Sequence, residues 1–188
     1  MTHDTCNTPG SGAARRGQRG FSLVEVLVAV VVLSIGLLGL GALQATGINN
    51  TNNAYFRSQA TLIANALVER MRANPKGFDD GAYSAIDSNA INCNAPPNPY
   101  CAQRSGAAAA DCNTGQLAAF DIWTAVCGMD DGAGNRDGGL KALLPAARLT
   151  VNCPAPCGKG AAHALKIAWS ESRKGAAMNR SVTMVFQK

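Results

Sequence analysis

Aromatic side chains are scarce: Phe, Trp and Tyr together make up 5% of 188 residues. A chain this poor in large side chains, and rich in Gly, Ala and Asn, implies a soluble part with a thin core and many loops. Histidine is scarcer still, with His3 and His163 alone. No C-x-x-C redox pair, no nucleophile elbow and no phosphate loop occurs. These gaps leave no constellation for catalysis, so the chain reads as a non-enzyme that needs no cofactor. Charge of one sign is also in short supply. The formal net charge is +5, and Arg15, Arg16 and Arg19 against Asp4 place +2 of it in the first twenty residues. The remaining +3 is spread over 168 residues and forms no nucleic-acid stripe. There is no internal repeat, and the longest low-complexity run is the short Ala107–Ala110.

Cysteine, by contrast, is plentiful. Of seven, Cys6 lies in the N-terminal arm, and without that arm Cys93, Cys101, Cys112, Cys127, Cys153 and Cys157 remain. An even number in a small, thin-cored domain reads as a disulfide framework on the oxidising side of a membrane. Six cysteines allow about 15 pairings, so spacing leaves the connectivity open.

Residues 21–43, FSLVEVLVAVVVLSIGLLGLGAL, contain one ionisable side chain, Glu25. About 20 apolar residues span a bilayer as a helix, and no core available to a chain of this size covers a helix apolar on every face. Three arginines precede Phe21 closely, and Arg57 is the first positive charge beyond the run. The positive-inside rule then keeps the N-terminus cytoplasmic and exports the rest.

An ordinary secretory signal is cut after its apolar region. Gly39, Gly41 and Ala42 leave that route open, but Gly20 stands before the run, directly after the arginines. Cutting between Gly20 and Phe21 removes the basic arm and leaves the apolar helix at a new N-terminus. A carboxylate in a bilayer is costly and wants a partner. The amine freed at Phe21 supplies one: in a staggered bundle, Glu25 of one subunit meets the amine of the next, and that pair sets the axial register.

The run Arg19-Gly20-Phe21-Ser22-Leu23-Val24-Glu25-Val26-Leu27-Val28-Ala29 resembles the class III signal of type IV prepilins and type II secretion pseudopilins. Val32-Leu33-Ser34-Ile35-Gly36-Leu37-Leu38-Gly39-Leu40 is similar to the PilV branch of minor pilins. The motif covers about the first 50 residues; beyond it Ala118-Ala119-Phe120-Asp121-Ile122-Trp123, Leu143-Leu144-Pro145 and closing strands with Trp169 resemble the same branch more diffusely. The resemblance implies that Gly20 precedes the bond cut by prepilin peptidase, that Phe21 becomes the N-methylated first residue, and that Glu25 serves methylation and subunit docking. It implies as partners other minor pilins, the major pilin and the inner-membrane assembly platform. It implies a single-pass inner-membrane protein with a periplasmic C-terminal domain that later joins an extracellular pilus. Ala42 stands where many major pilins carry Pro, so helix melting of the major-pilin kind does not transfer. Six cysteines exceed the single disulfide of simple major pilins, so their C-terminal loop does not transfer either.

Beyond the apolar run, Phe56, Ala60, Ile63, Leu67 and Met71 recur at helical spacing, and Pro75 with Gly77 ends the pattern. The glycines at 36, 39, 41 and 47 and the Asn49–Asn53 cluster are poor helix formers and mark a hinge near 41–53 as an expectation. The division expected is a leader over 1–20, a membrane half over 21–43, an amphipathic half over 44–74 and a globular domain over 75–188. Within that domain the pattern predicts a cysteine-stapled loop over 75–115, a helix over 115–127 from Leu117, Phe120, Thr124 and Cys127, and a flexible loop from Met129 to Gly139. Alternation predicts strands at about 147–153, 163–170 and 180–187, from Leu149/Val151, Leu165/Ile167/Trp169 and Val182/Met184/Phe186. The fold class is α+β, a long N-terminal helix laid by its second half on a small antiparallel sheet.

Two metal readings fail on pattern. Asp130, Asp131, Asn135 and Asp137 lack the EF-hand order, and Cys153-x-x-x-Cys157 with His163 lacks a clear fourth zinc ligand and fits a turn disulfide better. Among functions, a type II secretion pseudopilin shares every N-terminal feature. DNA binding for uptake has only Arg173, Lys174, Arg180 and Lys188, without a stacking platform.

Overall fold

A computed structural model describes residues 20–153, 157, 160–173 and 176–187. The basic arm with Cys6, His3 and its arginines, together with Lys174 and Lys188, lies outside the described residues. In chain order the elements are α1 (Leu23–Ala73), α2 (Pro75–Asp79), β1 (Ala85–Asp87), a 3-10 turn (Ser88–Ala90), α3 (Thr114–Cys127), β2 (Met129–Asp130), β3 (Arg136–Asp137), α4 (Leu140–Leu143), β4 (Arg148–Asn152), β5 (His163–Arg173) and β6 (Ala176–Phe186). The contacts divide the chain into two compact units, one ending at Ala45 and one running from Thr46.

The first unit holds the apolar half of α1. Its large side chains, from Phe21 and Leu23 through Leu43, are exposed, and the helix is long and apolar enough to cross a membrane. The helix is continuous through 41–53 despite its glycines and asparagines. Ser34 and Thr51 return their hydroxyls to the carbonyls of Val30 and Gly47, at 2.7 and 3.1 Å, which keeps those polar side chains on the helix itself.

The second unit is a helix on an antiparallel sheet of order β1-β4-β5-β6. From α1, Ala60, Ala64, Leu67, Val68 and Met71 are buried, and Phe56 and Ile63 pack at the margin. The sheet meets this stripe with Leu149 and Val151 from β4 and Leu165, Ile167 and Trp169 from β5, all buried, and with Val182, Met184 and Phe186 from β6. Register aligns those rows: Leu149 faces Ile167, Val151 faces Leu165, and Leu165 and Ile167 face Met184 and Val182. Burying Leu67, Val68 and Met71 alone contributes roughly 1.5–3 kcal/mol each, as an upper estimate.

Pro75 stops α1 and opens α2 at the helix start, where its missing N–H costs nothing. Asn74 between them is buried and accepts from Gly77 N–H at 3.2 Å. The span 75–115, expected as loop, carries α2, β1 and the 3-10 turn. β1 pairs with β4, with Ile86 opposite Val151. The stretch from Met129, expected as a flexible loop, folds as the β2–β3 pair. The last hairpin also extends further than alternation suggested, pairing Trp169 with Arg180 and Glu171 with Met178.

α3 starts with a capping box in which Asn113 and Gln116 exchange side-chain and backbone bonds at 2.9 Å. It separates two cores. Ala118 joins the main one, while Phe120, Trp123, Val126 and Cys127 form a second with Tyr100.

Candidate processing and assembly site

Gly20, Phe21 and Ser22 precede the helix in irregular conformation, and Phe21 is 82% exposed. The Ser22 carbonyl accepts from Val26 N–H at 3.2 Å, the first helical bond, so Ser22 stands at the cap position. Glu25 falls in the first turn and is exposed. Its carboxylate is therefore near the positive end of the helix dipole, where a negative charge is favoured. The order Ser22-x-x-Glu25 is also that of a capping box, a signal present in the sequence but eclipsed there by the docking reading. The three residues expected to serve processing and docking thus lie within six positions, on an accessible helix start followed by an unburied apolar face.

The six cysteines beyond Cys6 lie in the second unit. Disulfides join Cys93 to Cys127, Cys101 to Cys112, and Cys153 to Cys157. The first fastens the long loop to the end of α3 beside the second core. There Tyr100 packs edge-on against Phe120 at 4.9 Å, and Trp123 donates its indole N–H to the Asn92 carbonyl at 3.1 Å. The third joins cysteines four positions apart in the chain. His163 takes no part in it: the ring is buried between Phe78 and Phe186, with Nδ1 3.1 Å from the Ala161 carbonyl. Asp130 and Asp131 are occupied as turn acceptors, from Gly132 at 2.7 Å and Ala133 at 2.8 Å. No metal-binding group of three such side chains occurs among the described residues.

A buried polar network ties α1 to α3. Tyr83 donates to Asp121 at 2.7 Å and receives the Asn74 amide at 3.1 Å; Arg70 donates to Thr124 and stands 3.7 Å from Asp121. Burial raises Asp121 above the usual carboxylate range, against the opposing pull of Tyr83 and Arg70. Burial, then the bond to Asp121, raises Tyr83. The network is a brace between elements, and a cavity of about 180 Å³ lined by Ile63, Leu67, Arg70, Thr124 and Asp137 lies beside it.

Two family models match the chain. One, the prokaryotic N-terminal methylation motif, covers residues 15–41, the stretch that contains Gly20, Phe21 and Glu25. The other, Tt1218-like, described as type IV pilin Tt1218, covers residues 42–123. The chain is type IV prepilin-like. The matched regions meet between Gly41 and Ala42, and together they take in all of α1 and run into α3. No curated protein and no solved structure matches the chain significantly. The chain thus combines similarity to type IV pilins over residues 42–123 with a methylation-motif match over residues 15–41 and a helix long and apolar enough to cross a membrane.

Proposed function

We propose that this pilin is a minor subunit, of the PilV-like branch, that primes or supports assembly of a type IV pilus used for twitching or adhesion. Prepilin peptidase cuts between Gly20 and Phe21, and the new amine is methylated. Glu25 of each incoming subunit then docks on the Phe21 amine of its neighbour, alongside the major pilin, other minor pilins and the inner-membrane platform. Before assembly the chain lies in the inner membrane with its N-terminus cytoplasmic and the domain from Thr46 in the periplasm, where Cys93–Cys127, Cys101–Cys112 and Cys153–Cys157 form.

The observation that carries this reading is Glu25 itself, a lone carboxylate in the first turn of the apolar, unburied first half of α1, a helix that starts two residues after the proposed new terminus. An exposed acid in such a run is costly in lipid unless it meets a positive partner. Glu25→Gln keeps the side chain's shape and removes the charge. In the native host it is expected to leave the protein in the membrane and to lower its amount in sheared pili at least tenfold. A Glu25→Gln chain recovered in pili at the wild-type level removes the docking role.

A further inference from the structure

A polar cleft of about 620 Å³ opens within the second unit between α1 and the β5–β6 hairpin. Asn53 and Arg57 line one wall, and Glu171, Asn179, Arg180 and Ser181 the other. Glu171 occupies an inward position of β5 that the alternation would give to an apolar residue, and it is 6% exposed. Its acceptors are used inside the wall. Oε1 takes the Trp169 indole N–H at 2.7 Å. Oε2 takes the Asn53 amide at 2.5 Å, in the amide orientation its neighbours require. The Arg180 Nε stands 3.8 Å from Oε2, across the hairpin. Arg57 is exposed, and no ion pair to it occurs among the described residues.

The cleft therefore holds one carboxylate, already bonded, and two guanidinium groups. Its surplus is a single positive charge presented by planar forks, a geometry that matches a carboxylate in two parallel hydrogen bonds. A polyanion such as nucleic acid needs a row of cations, which one surplus charge does not supply. A metal cation is repelled.

We infer that this cleft receives the carboxylate of an acidic side chain on an adjacent pilin subunit. The inference rests on the pilin reading, which sets the second unit against neighbouring subunits rather than lipid once a filament forms. Glu171 is a positioning residue here: it fixes Arg180 and holds α1 to the hairpin through Asn53, while Arg57 and Arg180 bind the incoming acid.

The test uses the full chain in pili of the native host. A photoreactive residue is placed at Ser181, which is exposed on the cleft wall, and irradiated pili are digested and sequenced. The expected product joins residue 181 to a pilin peptide that carries Asp or Glu. Arg57→Glu is expected to abolish that product and lower incorporation at least tenfold. Methylated Phe21 and the absence of free thiols should persist, which shows that processing and folding survive. Reversing the cross-linked acid to Arg in the partner should restore incorporation of the Arg57→Glu chain. Wild-type incorporation of Arg57→Glu, no cross-link in pili that contain the chain, or cross-links only to lipid or nucleic acid overturns the inference. A wild-type chain that is absent from pili and unprocessed at Phe21 removes the pilin reading, and the inference with it.

Discussion

Asp87 and Arg148 show how single residues fasten the edge of this sheet. Arg148 on β4 gives Nε to Oδ1 at 3.0 Å and Nη2 to Oδ2 at 2.5 Å of Asp87 on β1. That bond, with the Asn89 N–H, holds Asp87 below the usual carboxylate range. A lowered folded-state value contributes stability in full above the unfolded value and loses it as pH falls through the folded value. Asp87→Asn is therefore expected to lower the urea midpoint at neutral pH and to leave a shallower decline in acid, read by unfolding between about pH 7 and pH 2. Asp121 works in the opposite sense. Its folded-state value is raised, so its contribution is largest below the ordinary carboxylate range and declines as pH rises through the folded value. Gly128 is a third case. Its φ is +87°, and a Cβ there would lie 2.7 Å from the carbonyls of Asp137 and Gly138. Gly128→Ala is expected to cost roughly 1–3 kcal/mol or more, measured as a fall in the urea midpoint of the purified protein.

Among the elements, legibility followed the length of the pattern. α1 shows an unbroken apolar run and then a spaced stripe, and either alone marks a helix; Pro75 marks its end. β4, β5 and β6 alternate over several residues; the structure buries the inward rows of β4 and β5 and, on β6, buries Phe186 and half-buries Val182 and Met184. β1 offers a single inward residue, Ile86, among small polar neighbours, and gains its place from pairing with β4 and from Arg148. β2 and β3 have two residues each, too few for any period. Glu171 was missed at the cleft, although it continues the inward series His163, Leu165, Ile167 and Trp169. Disulfide pairing was illegible because it depends on which loops the cores bring together. Two experiments belong at this scale. Leu67→Ala, at a fully buried point where α1 meets the sheet, is expected to cost about 2–5 kcal/mol in denaturant unfolding. Removing Cys93–Cys127, which closes a separation of 34 residues, is expected to cost about 4 kcal/mol, against about 2 kcal/mol for Cys153–Cys157, which closes a separation of 4. Paired Cys→Ser variants compared by urea unfolding read that order, and the reverse order contradicts it.

At the scale of the whole molecule the chain divides its labour at Ala45. Among the described residues, the part before it is an apolar helix that contributes nothing to either hydrophobic core; the part from Thr46 carries both cores and the three disulfides. A chain that starts at Thr46 and is exported by an unrelated signal is expected to be released in soluble form with no free thiol, while failing to enter pili. Its retention in membranes would show that anchoring does not reside in the first unit. In the proposed reading Glu25, Gly20 and Phe21 act through one event, the exposure of the Phe21 amine. The direct measurement is mass spectrometry of the N-terminal peptide from the protein purified out of host membranes. The account predicts a chain that begins at N-methylated Phe21; an intact Met1, or a start beyond residue 40, contradicts it.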